Sequence, residues 1–178
     1  MLTVYYGLRR SEAVGLKWSA IDFEKQTVSI QNTVVQFNTV LEKETTKTKS
    51  SRRTYPMSPE IVNILLKIKS RQDEMKKTLG AGYHDNGYVF IWDDGTFFRP
   101  DYITSKFQKV LKENGLPRIR FHDLRHTTAS IMVENGADLK RVSEWFGHSN
   151  VGTTANIYAH LTFETKKESL QILGRALK

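Results

Sequence analysis

The spacing of apolar positions divides the chain into recognisable elements. Leu2, Val4, Tyr5, Tyr6 and Leu8 are apolar with no capping residue ahead of them, so this stretch reads as the second half of a helix that begins earlier, interrupted at Gly7. Ser11 is a favoured N-cap and predicts a short helix to about Leu16, with Arg9 and Arg10 just ahead of it. Over 21–57 the pattern becomes β-branched and roughly alternating. It predicts strands at 27–37, 40–44 and 52–57, with a turn at Asn38. Helical spacing then returns. Pro59 opens a long amphipathic helix that buries Ile61, Ile64, Leu65 and Ile68 and runs to Leu79. Residues 88–92 read as a short apolar strand or extended segment closed by a turn, and Arg99 and Pro100 open a helix that ends at Gly115. Leu124, Ala129, Ile131, Met132 and Val133 suit one helix wall, and Val142, Trp145 and Phe146 a second, with stops at Gly136 and Gly147. The end of the chain is a basic amphipathic tail carrying Leu170, Ile172, Leu173 and Leu177.

No repeat or long linker divides the 178 residues, which suffice for one core. The expected class is α+β: a mostly helical domain with a small three-stranded antiparallel sheet on one side. Hydrophobic residues make up 39% and charged residues 26%, which excludes a disordered chain. There is no cysteine, hence no disulfide and no thiolate metal site. No leader is visible, and a cytoplasmic location is expected. Lys and Arg number 27 against 19 acids, a net +8, which points to a polyanion such as nucleic acid or else to a basic, solvated surface.

Candidate chemistry is concentrated at 121–160, which holds His122, Arg125, His126, His148, Tyr158 and His160. His122 and Arg125 are three apart and share a helix face. Imidazoles, a guanidinium and a phenol together suit a phosphate better than a metal, which would want more carboxylate or thiolate. Taken singly, His122 or His148 could be a cap and Tyr158 a core tyrosine. His126 is read as a packed, hydrogen-bonded core residue and His160 as exposed. Between Glu42 and Arg53 lie five basic and two acidic residues, as on a basic hairpin tip beside nucleic acid or on a solvated turn.

GLRRSE, TKTKSSRRTYP, HDLRH, GHS and a tyrosine ten residues on occur in this order. Together they resemble the catalytic domain of the tyrosine recombinases, the phage-integrase family, most closely integrases of phages and conjugative transposons of Gram-positive bacteria. The resemblance implies that Arg9 and Arg125 grip the scissile phosphate. It implies that Lys47, rather than Lys49, is the general acid, that His122 and His148 hydrogen-bond and manage protons, and that Tyr158 is the nucleophile. It makes Glu12 a brace, requires neither metal nor cofactor, and implies double-stranded DNA as partner with four protomers on two duplexes, bound to the bacterial nucleoid. Residues 1–178 would be that catalytic domain without core-binding and arm-binding domains, weakly active alone, with 164–178 a tail that docks in cis or in trans. Lys49, Arg52, Arg53, Arg99, Lys106, Arg118, Arg120 and Arg141 are candidate DNA contacts. The rival readings are a catalytically idle DNA-binding relic or regulator, and a metal-dependent nuclease.

Overall fold

The computed structural model describes residues 1–36, 40–43, 52–147, 170 and 174–175. The chain opens with two short helices, α1 (Leu2–Tyr6) and α2 (Arg10–Val14). Strands β1 (Ile21–Asp22), β2 (Thr27–Ile30), β3 (Thr33–Gln36), β4 (Val40–Lys43) and β5 (Arg53–Pro56) follow. Among the described residues that follow, four longer helices stand out: α3 (Pro59–Leu79), α4 (Pro100–Glu113), α5 (Asp123–Glu134) and α6 (Leu139–Phe146).

The three-stranded antiparallel sheet is present, with strand order β1-β2-β5. Its membership differs from the pattern-based expectation. The alternating run 27–37 breaks at Gln31–Asn32, and its second half, β3, pairs with β4 as a separate ladder. The end of α2 packs against this break. A Cβ on Gly15, at the end of α2, would lie 2.9 Å from the Asn32 carbonyl oxygen, so the helix end presses on the chain between the strands. The short β1 pairs Ile21 with Val28 and completes the sheet. Residues 88–92 form no strand; Tyr88 and Ile91 make only isolated bridges, to Lys17 and Phe97.

The first helix after the opening also differs at its start. Arg9, not Ser11, is the N-cap of α2, because Glu12 reaches back and accepts the Arg9 backbone N–H at 2.8 Å. The later helices follow the apolar spacing. Ile61 and Leu65 of α3 are fully buried, each stabilising the fold by about 1.5–3 kcal/mol relative to exposure. Leu2, Tyr6, Leu8, Val28, Ile30, Tyr55 and Val89 share that core. Ala129, Val142 and Phe146 form a second cluster between α5 and α6, and Trp145 packs against both.

One glycine decides how the two halves meet. Gly7 caps α1 in the left-handed region at φ 57°, and a Cβ there would fall 2.0 Å from Cε1 of the buried Phe146 ring. Gly7→Ala is therefore expected to destabilise the chain by about 2–5 kcal/mol, combining left-handed strain with overpacking. A thermal melt checks this; a melting temperature equal to that of the unaltered chain would refute the close approach.

Candidate active site

The Gly7–Phe146 contact carries Arg125. Its Nη1 donates to the Gly7 carbonyl at 2.6 Å and its Nη2 to the Phe146 carbonyl at 2.9 Å. The guanidinium carbon lies 4.4 Å from the Phe146 ring centroid. Arg125 is 3% exposed, and its fork joins the turn after α1 to the end of α6. Thr128, three residues further along α5, donates to the Val4 carbonyl at 2.6 Å and fixes α5 against α1. Arg9 stands two residues beyond Gly7, so the same turn delivers it to Arg125.

Arg9 is held by Glu12. Its Nη1 donates to Oε1 at 2.9 Å, while 39% of its side chain stays exposed. Glu12 is buried and also receives the fork of Arg53, Nη1 on Oε1 at 3.0 Å and Nη2 on Oε2 at 2.7 Å. Arg53 Nε donates to Tyr55 Oη at 2.6 Å, and that hydroxyl donates in turn to the Trp145 carbonyl. Tyr55 lies between the rings of Tyr6 and Trp145, at centroid distances of 5.0 and 4.7 Å. A buried polar chain thus runs from α2 through β5 to the end of α6.

The electrostatics follow from this crowding. Burial pulls the Arg125 guanidinium down to about 9, with the charge of Arg9 the next contribution; Glu12 opposes the fall and Arg53 adds to it. It remains protonated at neutral pH. Arg9 and Arg53 both pair with the Glu12 carboxylate, and Arg125 lies close enough to feel the charge of all three. Burial pushes the Glu12 carboxyl up, but the hydrogen bonds and charge of Arg53, then Arg9, outweigh it and hold it below its ordinary value. A depressed carboxyl stabilises the fold above its unfolded value of about 4.3, and that contribution is lost as pH falls through the folded value. Acid melts should therefore drop in this range. Glu12→Gln, already less stable at neutral pH, should show a flatter fall; parallel curves would remove Glu12 from the linkage.

His122 is the N-cap residue of α5 and exposed. Desolvation lowers its pKa, followed by the charges of His126, Arg125 and Arg9, so the imidazole is neutral at pH 7 and able to accept a proton. The structure thus brings Arg9, His122 and Arg125 into one neighbourhood. Lys47, Lys49, His148, Tyr158 and His160 lie outside the described residues.

Two expectations need correction. Arg53 does not face outward toward a partner: its side chain is 7% exposed and committed to Glu12. His126 is not in the core; it is half-buried and edge-on to His122, with ring centroids 5.1 Å apart. Arg52, Arg99, Lys106, Arg118, Arg120 and Arg141 are exposed, although Arg120 forks onto Asp123 at 2.9 Å. The inward turn of Arg53 had a sequence signal that was passed over. Tyr55, two residues on in the same strand, faces the core, and period two puts Arg53 on that face too.

Among the described residues no helix is long and apolar enough to cross a membrane. A family model described as the phage integrase family matches residues 1–165. The tyrosine recombinase XerC-like protein of Caldanaerobacter subterraneus subsp. tengcongensis is 36% identical over 180 residues, covering 94% of this chain and 46% of that protein. The ICEBs1 integrase of Bacillus subtilis is 30% identical over 162 residues, covering 91% of this chain and 44% of that protein. The chain spans about half the length of these curated relatives. Among solved structures, the Tn1549 transposon integrase in complex with transposon right end DNA matches with a TM-score of 0.76 at 25% identity, covering 97% of this chain and 57% of that one. The match along nearly all of the sequence and the shared fold agree: the chain belongs to the phage integrase family, the tyrosine recombinases.

Proposed function

We propose that the chain is the catalytic domain of a site-specific DNA recombinase that breaks and rejoins strands through Tyr158. The observation that carries this reading is the convergence of Arg9 and Arg125, with His122 close enough to feel both charges. Phosphoryl transfer places negative charge on the equatorial oxygens of phosphorus, and fixed guanidinium forks meet that charge without losing protons. The Tyr158 oxygen attacks phosphorus as the bond to the 5′ oxygen breaks. The products are a 3′-phosphotyrosine and a free 5′ hydroxyl, protonated by Lys47. Neutral His122, with His148, takes up and returns the phenolic proton. The phosphotyrosyl bond keeps the free energy of the phosphodiester, so a second 5′ hydroxyl can reverse the step on another strand without metal or ATP.

The related Tn1549 integrase is described in complex with DNA, which supports double-stranded DNA as the substrate here. The exposed Arg52, Arg99, Lys106, Arg118, Arg120 and Arg141, with Lys49, are assigned to backbone phosphates, with four protomers assembling on two duplexes. Loss of phosphate contacts lowers both affinity and its salt slope, so this chain alone should bind weakly and release at about 200 mM salt. The expected tail at 164–178 lies, apart from Leu170, Gly174 and Arg175, outside the described residues.

The deciding experiment incubates the chain in EDTA with nicked duplexes tiled across the DNA flanking its gene and denatures the mixture. A protein–DNA adduct resistant to denaturant is expected. DNA binding with no adduct on any duplex would favour the catalytically idle relic or regulator; cleavage only with added metal would favour a nuclease. In the same assay Lys47→Ala should cleave more slowly than Lys49→Ala, and the opposite order would move the general acid to Lys49.

A further inference from the structure

We infer that Arg53 is a positioning residue whose task is to neutralise Glu12, so that the charge of Arg9 is left for a phosphate. The inference rests on the recombinase reading for the identity of that phosphate. The geometry separates two functions of the Glu12 carboxylate. Toward α2 it accepts from the Arg9 backbone N–H at 2.8 Å and from Arg9 Nη1 at 2.9 Å, which sets the direction of the Arg9 side chain. Toward β5 it accepts the two-pronged fork of Arg53 at 3.0 and 2.7 Å, which fixes the plane of the carboxylate.

A carboxylate alone would hold Arg9 equally well in direction but would also cancel its charge. An ion pair of one arginine and one glutamate is neutral and presents little attraction to an anion. Adding Arg53, whose side chain is 7% exposed against 39% for Arg9, leaves the trio at plus one, and the accessible guanidinium is that of Arg9. The buried cation thus satisfies the buried anion, and the exposed cation remains available. Burial makes the arrangement effective, because charges screened by little water act more strongly on one another. Arg53 is itself seated by Tyr55, whose hydroxyl accepts from Nε at 2.6 Å and donates to the Trp145 carbonyl, two residues before Gly147. The strand that follows the segment carrying Lys47 is therefore tied to the arginine pair and to the end of α6 by one side chain.

Inorganic phosphate is the probe, and the readout is the side-chain Nε–H signal of Arg9 in chain labelled with nitrogen-15 at arginine, assigned by its loss in Arg9→Lys. In the unaltered chain, phosphate should shift this signal in a saturable manner. Arg53→Met keeps the side-chain bulk and removes the charge, and phosphate should bind about tenfold more weakly, a change of about 1.4 kcal/mol. Arg53→Lys, which restores a cation beside Glu12 without the fork, should recover to within about threefold of the unaltered chain. The double variant Arg53→Met with Glu12→Gln removes both charges while the Gln oxygen still accepts from Arg9, and should also recover to within about threefold. A purely structural role predicts the reverse, since the double variant loses more polar contacts than the single one. If Arg53→Met does not fold, the double variant decides alone: recovery supports the inference and a tenfold loss overturns it. Failure of phosphate to move Arg9 in the unaltered chain, or coincident titrations of the unaltered chain and Arg53→Met, also overturns it. Neither result touches the recombinase reading, which stands or falls on the DNA adduct.

Discussion

Tyr158→Phe is expected to abolish the covalent protein–DNA adduct completely while leaving DNA binding in place. The substitution removes one oxygen, the atom proposed to bond to phosphorus, and a phenyl ring offers no nucleophile in its stead. A free phenol has a pKa of about 10, so only about one in 10³ is ionised at neutral pH. An unassisted tyrosine would therefore attack slowly. In the proposed reading the charges of Arg9 and Arg125 and the imidazole of His122, which lie close to one another, ease its deprotonation. Denaturing gels of reactions with nicked duplex check the expectation. An adduct persisting in Tyr158→Phe would assign the attack to another side chain.

Arg125→Ala should fail in two separable ways. The guanidinium is expected to meet charge that develops in the transition state, and removal of one such donor costs about 10²–10³ in rate. The same group satisfies the Gly7 and Phe146 carbonyls at 2.6 and 2.9 Å. Truncation leaves both buried acceptors without it, at about 1–3 kcal/mol each, and opens space over the Phe146 ring. Arg125→Lys keeps the charge but lacks the planar fork, so it can satisfy one carbonyl and not both. It should melt between the unaltered chain and Arg125→Ala and still cleave poorly. Single-turnover cleavage rates and thermal melts separate the two losses. Arg125→Ala cleaving at full rate would remove Arg125 from the chemistry, whatever its effect on stability.

The helices were largely legible in the sequence because their signals are local. Pro59 and Pro100 mark the first turns, Gly147 stops α6 in the left-handed region, and the apolar faces of α3 and α4 repeat at helical spacing. The strands were less legible. Residues 27–37 alternate only roughly, and the split of the ladder at Asn32, where Gly15 at the end of α2 comes close, appears only in the structure. The same limit governed the site. Arg9, His122 and Arg125 stood out by motif, but that the turn at Gly7 would seat Arg125 on Phe146 depends on a missing Cβ meeting a ring 139 positions away. Arg53 reads as a candidate DNA contact at the foot of a basic loop because its partner, Glu12, is 41 residues earlier. His126 reads as a core residue because it stands in the helix that carries Leu124 and Ala129, yet it is half-buried and edge-on to His122.

The central claim is that two guanidinium groups distant in sequence hold one phosphate. It is tested most directly by a crystal structure of the chain with a nicked duplex or with tungstate as a phosphate mimic. The account predicts one anion with oxygens about 2.7–3.2 Å from nitrogens of both Arg9 and Arg125, with the Tyr158 oxygen facing its phosphorus or tungsten. An anion held by one of these arginines without the other, or seated elsewhere on the basic surface, would contradict it.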